Sequence, residues 1–145
     1  QALQKNNSSY TIVEGESKKI GKLLLPENFY SKMMSGKKIW VELPLELRAK
    51  RLAEEYDKSD EFILHKLQYL KRFMSRENFS QITQAIADKD RYTVALLLLK
   101  NHYDLHYLKG SPDKGSHRNY DQVFKADSFA ELNTKVLEYF INHKE

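Results

Sequence analysis

Length and composition set the outer limits for this chain. Its 145 residues are a usual size for one domain and are enough to bury a hydrophobic core. It has no cysteine, which excludes disulfides, thiolate metal sites and a thiol nucleophile within this chain. No apolar run reaches the roughly 20 residues of a membrane span, and the first residues are polar without a hydrophobic signal core. We therefore expect a cytoplasmic protein with no membrane partner.

The positive charge is concentrated in the first half of the chain. Residues 1–75 carry 14 Lys and Arg against 10 Asp and Glu, whereas residues 76–145 carry 10 of each, so the first half accounts for the net charge of +4. This imbalance is compatible with a polyanionic partner such as RNA. An ordinary lysine-rich, solvated surface has the same composition, and charge alone favours that reading.

The first third of the sequence predicts a strand, helix, strand unit. Residues 10–14 and 39–43 have the β-branched and aromatic content of short strands. Between them Pro26 can open a helix that ends near Gly36. We expect the two strands to lie parallel in one sheet, because a helical crossover usually joins parallel neighbours.

The remainder of the sequence predicts mostly helices. Pro44, Ser59 and Ser75 are positioned to begin three of them, and the apolar run from Val94 to Leu99 predicts an inner helix. Residues 109–120 are typical of a loop, and residues 122–125 of a short strand. Ser128 and Glu131 have the spacing of a capping box before the last helix.

The loop from Val13 to Lys22 is the first candidate site. Glu14 and Glu16 are two residues apart after the first predicted strand, so extended geometry would point both carboxylates to one side. They can then orient a metal-bound water or a substrate hydroxyl. The simpler alternative is that they cap nearby backbone or pair with Lys18 and Lys19.

The sequence contains only some of the residues that a phosphate site or a metal site requires. Ser17 and Lys18 can offer a hydroxyl, amides and an ammonium group to a phosphate. The Gly-x-x-x-x-Gly-Lys-[Ser/Thr] phosphate loop is absent, so this chain alone is not a complete nucleotide hydrolase. His102 and His106 are four residues apart but lack the His-Glu-x-x-His pattern, and we predict no metal site.

Several separated motifs occur in a recognisable order. They are Glu14-Gly-Glu-Ser17, Ile20-Gly21, Leu25-Pro26, the run from Trp40 to Arg48, and Glu54-Glu-Tyr56. This order resembles the C-terminal part of bacterial tRNA 2-selenouridine synthase, over roughly Ile12 to Tyr107.

The resemblance implies a fold and a missing partner. Members of that family join a rhodanese-like domain with a catalytic cysteine to a P-loop domain whose Walker A sequence precedes the Glu-x-Glu-Ser stretch. Because this chain has neither the cysteine nor the Walker A loop, we expect a C-terminal fragment that is inactive alone and whose partner is the rest of the parent chain. The expected class is α/β. Residues 10–58 would form half of a P-loop-like sheet with flanking helices, and residues 59–145 a mostly helical region.

The resemblance also implies an activity and its ligands. The family replaces sulfur by selenium in the 2-thiouridine at the tRNA wobble position, using selenophosphate, and adds a geranyl group from geranyl diphosphate. A nucleotide with Mg²⁺ is a further expected ligand of the parent protein, while the chain itself is expected to hold no cofactor. Two alternatives stay open: a non-catalytic RNA-binding module, and an ATP- or GTP-binding P-loop protein of another substrate class.

The same resemblance assigns residues to roles. Glu14 and Glu16 are the catalytic candidates. Ser17, Lys18 and Arg48 are candidates for binding phosphate or substrate, with an ion pair to Glu46 or Glu55 as the alternative for Arg48. Contacts to tRNA phosphates are expected from six further residues: Lys19, Lys22, Lys37, Lys38, Lys50 and Arg51.

Overall fold

Short strands and helices alternate in the first third of the chain, and helices dominate thereafter. A computed structural model describes residues 11–15, 17–107 and 120–143. The strands are β1 (Lys19–Ile20), β2 (Leu23–Leu24), β3 (Ile39–Glu42) and β4 (Gln122–Lys125). The helices are α1 (Glu27–Ser35), α2 (Leu45–Glu55), α3 (Asp60–Leu70), α4 (Arg76–Ala87), α5 (Arg91–Leu98), α6 (Asp104–Tyr107) and α7 (Phe129–Asn142). A 3₁₀ turn (Lys71–Phe73) follows α3, and a π-helical turn (Leu99–Tyr103) joins α5 to α6. The predicted α/β class is confirmed.

A parallel pair of strands joins distant parts of the sequence. β3 pairs with β4, with Ile39 opposite Gln122 and Glu42 opposite Lys125. The predicted strand at 122–125 is thus confirmed. Because parallel strands need a long crossover, the helices α2 to α6 lie between the two strands in sequence. The sheet therefore draws on both the 10–58 and the 59–145 regions.

The predicted strand at 10–14 is wrong over its described part. Residues 11–15 form no strand, and Tyr10 lies outside the described residues. The side chain of Ile12 is 74% exposed, so the segment has no apolar surface against which to bury its alternate residues. The adjacent residues instead form a small antiparallel hairpin of β1 and β2, which turns at Gly21 with a φ of 60°.

Side-chain caps fix the starts of the helices. Ser59 accepts a hydrogen bond from the amide of Phe62 at 3.2 Å, and Ser75 accepts one from that of Asn78 at 3.1 Å, as predicted. At α7, Ser128 accepts from the amide of Glu131, but the Glu131 carboxylate accepts from the amide of Asp127 rather than from that of Ser128. The second hydrogen bond of the predicted capping box therefore comes from the amide of Asp127, one residue before the expected donor.

The helical region has its own core. Ile82 and Ile86 of α4 are almost inaccessible to solvent, and they pack with Ile63, Leu67 and Val94. Val94 lies on the predicted inner helix. This closed cluster contrasts with α1, in which no residue is buried.

Among the described residues, no helix is long and apolar enough to cross a membrane. The predicted loop at 109–120 lies outside the described residues except for Tyr120.

A tight corner connects α4 to α5. Lys89 has a φ of 58°, and its amide bonds to the Ile86 carbonyl while that of Asp90 bonds to Ala85, the pattern of a Schellman turn. Asp90 then caps α5, because its carboxylate accepts from the amide and hydroxyl of Thr93 at 2.9 and 2.7 Å. Those bonds, first the one from the Thr93 amide, lower the pKa of Asp90 below its ordinary value.

We predict that Asp90→Asn makes the chain less sensitive to acid. A carboxylate whose folded-state pKa is lowered adds stability above its unfolded pKa of about 4, and this is lost as the pH falls through the lower folded value. Asparagine also caps helices but does not titrate. Urea unfolding at about pH 7 and about pH 3 should show a smaller loss for the variant than for the wild type.

Ser75→Ala is the control for this prediction, since it removes a cap that carries no charge. It should lower the free energy of unfolding by about 1 kcal/mol at both pH values. An acid-induced loss in Asp90→Asn equal to that of the wild type would contradict the prediction.

Candidate site in an open groove beside the parallel strands

Some of the predicted site residues line one open groove, and the others do not. Residues 11–15, Ser17, helices α1 and α2 and strand β3 all contribute to its walls. Among the residues singled out from the sequence, five line it: Glu14, Ser17, Lys37, Lys38 and Arg48. The groove thus places one carboxylate, one hydroxyl and three cations on a shared surface.

The same groove has an apolar side. Phe29 of α1, Val41 of β3 and Leu52 of α2 line it, and each keeps at least 40% of its surface exposed. Large apolar side chains left accessible along one groove mark a surface that binds an apolar ligand or another polypeptide. The groove is therefore amphipathic, with cations and apolar side chains on the same walls.

The acidic loop is held by contacts with its own neighbours. The Ser17 hydroxyl donates to the Lys19 carbonyl at 2.7 Å, and the Lys18 ammonium pairs with Glu27 at the start of α1. Glu14 is exposed, and Glu16 lies outside the described residues. Lys18 therefore pairs with a carboxylate nine residues away that the sequence reasoning did not consider.

Arg48 makes the best-defined polar contact in the groove. Its two terminal nitrogens donate to the two carboxylate oxygens of Asp104 at 2.8 Å each, and its Nε donates to the Leu43 carbonyl at 3.2 Å. The hydrogen bond to Asp104 raises the pKa of Arg48 above its ordinary value, while partial burial opposes this. Asp104, not the expected Glu46 or Glu55, is thus the ion-pair partner.

This contact leaves Arg48 with capacity for a ligand. A guanidinium has five N–H groups, and three are used by Asp104 and Leu43, so two remain unpaired among the described residues. The Arg48 side chain is 33% exposed and the Asp104 side chain 14% exposed. Asp104 therefore orients a guanidinium that keeps one N–H group on each terminal nitrogen for an anion.

Sequence spacing could not reveal Asp104, because a π-helical turn determines where it points. The Asp104 amide donates to the Leu99 carbonyl, five residues earlier, so the turn from Leu99 to Tyr103 is wider than an α-helical one. Helical periodicity carried through this turn assigns the wrong face to Asp104. Nothing in the sequence spacing linked Asp104 to Arg48.

The remaining predicted cations are dispersed. Lys19 and Lys22 lie on the β1–β2 hairpin and Lys50 is exposed on α2, and none of these three lines the groove. Arg51 pairs with Glu55 at 2.7 Å, and its guanidinium lies 4.8 Å from the Phe129 ring centroid. Within the described part of the chain, no three His, Asp or Glu side chains are grouped to hold a metal ion.

Comparison with known proteins identifies the family. The sequence profile of the tRNA 2-selenouridine synthase AAA domain matches residues 1–86, which is more than half of the chain. The chain belongs to this family. It is also 40% identical over 53 residues to tRNA 2-selenouridine synthase of Nitrosomonas europaea. That alignment covers 37% of this chain and 14% of the relative. No solved structure matches the chain. The family expected from the ordered motifs is confirmed.

We predict that Arg48→Ala destabilises the chain, because it leaves the largely buried carboxylate of Asp104 without its partner. The cost of an unsatisfied, mostly desolvated polar group is about 1–3 kcal/mol. Urea unfolding measures the loss. The matched control is Glu55→Gln, which weakens the exposed pair with Arg51 and should cost less than about 1 kcal/mol. Equal losses in both variants would contradict the assigned role of Asp104.

Proposed function

We propose that this chain forms one side of the phosphate-ligand site of a tRNA 2-selenouridine synthase, together with part of its tRNA surface. In this proposal the enzyme exchanges the sulfur of wobble 2-thiouridine for selenium and also transfers a geranyl group. The observation that carries the proposal is the family membership of residues 1–86 combined with the convergence of Glu14, Ser17 and Arg48 on one groove.

The amphipathic groove suits the proposed substrates. Selenophosphate and geranyl diphosphate are anions. The two remaining N–H groups of Arg48 in the groove can bind their phosphate oxygens, and so can Lys18, which follows the groove residue Ser17 and would exchange its Glu27 partner for a phosphate. The geranyl chain is apolar, and Phe29, Val41 and Leu52 offer accessible apolar surface in the same groove. Glu14 is the proposed group for orienting a water, a hydroxyl or the Mg²⁺ of a bound nucleotide.

The two edges of the parallel sheet support a site completed by another segment. On β4, the outward-facing Lys125 carbonyl accepts a hydrogen bond from the Lys135 ammonium at 2.8 Å, which places a charge on that edge. Lysine on a sheet edge blocks further strand pairing. The carbonyls of Lys38 and Glu42 accept from β4 residues, so alternation turns the polar backbone groups of Ile39 and Val41 to the opposite edge.

The β3 edge is therefore the proposed junction. Among the described residues no strand pairs with it, and Val41 is 52% exposed beside it. Parallel sheets are normally covered on both faces and rarely consist of two strands. We propose that a segment bearing the Walker A loop of the synthase adds a strand here and brings its phosphate loop to the groove. The rhodanese-like domain would supply the cysteine.

The proposal predicts that Lys18→Gln in a synthase containing this chain raises KM for selenophosphate about tenfold, because a hydrogen bond to a charged group contributes about 1.5 kcal/mol or more. Nucleoside chromatography of treated tRNA measures 2-selenouridine formation. Glu14→Gln should lower kcat. Lys58→Gln is the control, since Lys58 is exposed and lies outside both the groove and the loop from Val13 to Lys22. Wild-type kinetics in both Lys18→Gln and Glu14→Gln would overturn the proposed site.

A further inference from the structure

An aromatic and basic stripe lies on α3, outside the groove residues assigned above. Phe62, Lys66, Tyr69 and Phe73 follow one another at spacings of four, three and four, so they share one flank of α3 and the 3₁₀ turn. Ile63 and Leu67 on the neighbouring flank are buried in the helical core. Tyr69 and Phe73 are 61% and 56% exposed, respectively. The core therefore fixes the helix while the rings face solvent.

Cations alternate with the rings of this stripe. The Lys66 ammonium lies 5.4 Å from the Phe62 ring centroid and 6.0 Å from that of Tyr69. The Arg72 guanidinium lies 4.6 Å from the Phe73 centroid. Such cation–π contacts hold the long side chains against the rings. Each ring of the stripe thus has a positive charge beside it.

No acidic residue neutralises this segment in sequence. From Phe62 to Arg76 the chain contains Lys66, Lys71, Arg72 and Arg76 but no Asp or Glu. Within the described residues none of these four cations pairs with a carboxylate. This contrasts with Arg48 and Arg51, which both have carboxylate partners. The segment therefore carries four cations that no ion pair among the described residues neutralises, and Glu61 and Glu77 are the acidic residues that flank it.

Histidines extend the aromatic surface, one within α3 and one on the π-helical turn. His65 meets Tyr69 edge to face, with ring centroids 5.3 Å apart and a 3.3 Å contact between its Nε2 and the Tyr69 hydroxyl. On the π-helical turn, the His102 ring lies 6.3 Å from Phe73 and 5.1 Å from Tyr103. Tyr103 is 45% exposed. The surface thus reaches from α3 to the π-helical turn.

Unpaired RNA bases are the ligand that matches this chemistry. Bases stack on exposed aromatic rings, and the phosphates between them bind Lys and Arg. Tyr69 and Phe73 are four residues apart, roughly 6 Å along the helix, whereas stacked bases of one duplex strand are about 3.4 Å apart. Neighbouring rings therefore suit splayed bases. A double helix keeps its base faces covered, so the surface favours a single-stranded loop.

We propose that the stripe formed by Phe62, Lys66, Tyr69 and Phe73 binds unpaired bases of RNA. The identification of that RNA as tRNA rests on the proposed function, but RNA binding by the stripe does not. Lys66 also lines the groove, but the rings of Phe62, Tyr69 and Phe73 do not. These rings add a base-stacking contact to the phosphate contacts expected from the lysines of the first half.

The test measures fluorescence anisotropy of a labelled single-stranded RNA with the whole chain at low salt. Tyr69→Ala combined with Phe73→Ala should raise Kd by at least about 30-fold, since each of the two stacked bases contributes on the order of 1–3 kcal/mol. Tyr69→Phe should keep most of the affinity because the ring remains. Lys66→Gln should reduce the slope of log Kd against log salt by about 0.7.

Matched controls separate stacking from charge. Tyr92→Ala removes an aromatic of α5 that is 39% exposed, and Lys89→Gln removes a cation at the α4–α5 corner; neither should change Kd beyond about twofold. An abasic strand of equal length and a duplex of the same sequence should bind more weakly than the single strand. Circular dichroism should show the wild-type helix content in every variant, since all these positions are exposed.

Several outcomes overturn the proposal. They are equal Kd values for wild type and the Tyr69/Phe73 double variant, equal binding of the abasic strand, or no RNA binding at low salt. Preferential binding of an acidic protein in place of RNA also overturns it. The proposed phosphate site is tested separately, because Lys18→Gln and Glu14→Gln change selenophosphate kinetics, whereas the ring variants at Tyr69 and Phe73 change RNA affinity. Either proposal can therefore fail while the other stands.

Discussion

The parallel pairing of β3 with β4 is the constraint on which the rest of the structure depends. It brings residues 39–42 beside residues 122–125, so the helices between them have to start and finish at the same sheet. The core around Ile82 and Ile86 closes this helical region on one side. On the other side β3 carries the groove, because its outer edge and α1 are left uncovered among the described residues. The pairing of β3 with β4 thus accounts both for the closed helical core and for the open groove.

The Arg48–Asp104 contact connects these two halves. Arg48 lies near the start of α2, the helix that follows β3. Asp104 directly follows the π-helical turn at the far end of the helical region. A bidentate guanidinium–carboxylate pair fixes both distance and orientation. The contact therefore ties the wall of the groove at α2 to the far end of the helical region. Stabilisation and ligand binding are compatible here, because Asp104 and the Leu43 carbonyl use three of the five N–H groups of the guanidinium.

Local signals in the sequence predicted much of the fold. Prolines 26 and 44 and serines 59 and 75 mark helix starts by chemistry that acts within a few residues, and the structure confirms these starts. The strand at 10–14 failed, since strand formation depends on a partner that lies elsewhere in the chain or outside it. Asp104 was missed because a single wide turn shifts the helical period. The stripe on α3 consists of aromatic residues and a cation at helical spacing. The sequence contains this pattern, but only the structure shows that this flank of the helix is exposed.

The groove and the stripe have different proposed ligands: small anionic substrates for the groove and unpaired RNA bases for the stripe. Family membership covers residues 1–86, which include β3, α2 and α3, while the aligned part of the Nitrosomonas europaea relative is 14% of its length. An enzyme that modifies one base in RNA has to bind small anionic substrates and hold unpaired nucleotides nearby. The groove offers cations beside apolar surface for the first task. The stripe offers rings beside cations for the second.

Hydrogen exchange at the β3 edge tests the central claim, that this chain forms one side of a sheet completed by the P-loop segment of the synthase. Amide exchange of Val41 and Trp40 should be measured by NMR in the chain alone and bound to that segment. The account predicts that the Val41 amide exchanges rapidly alone and at least roughly tenfold more slowly in the complex, while Trp40, which faces β4, is protected in both. Rapid exchange of Val41 in both states, or protection in the chain alone, would contradict the account.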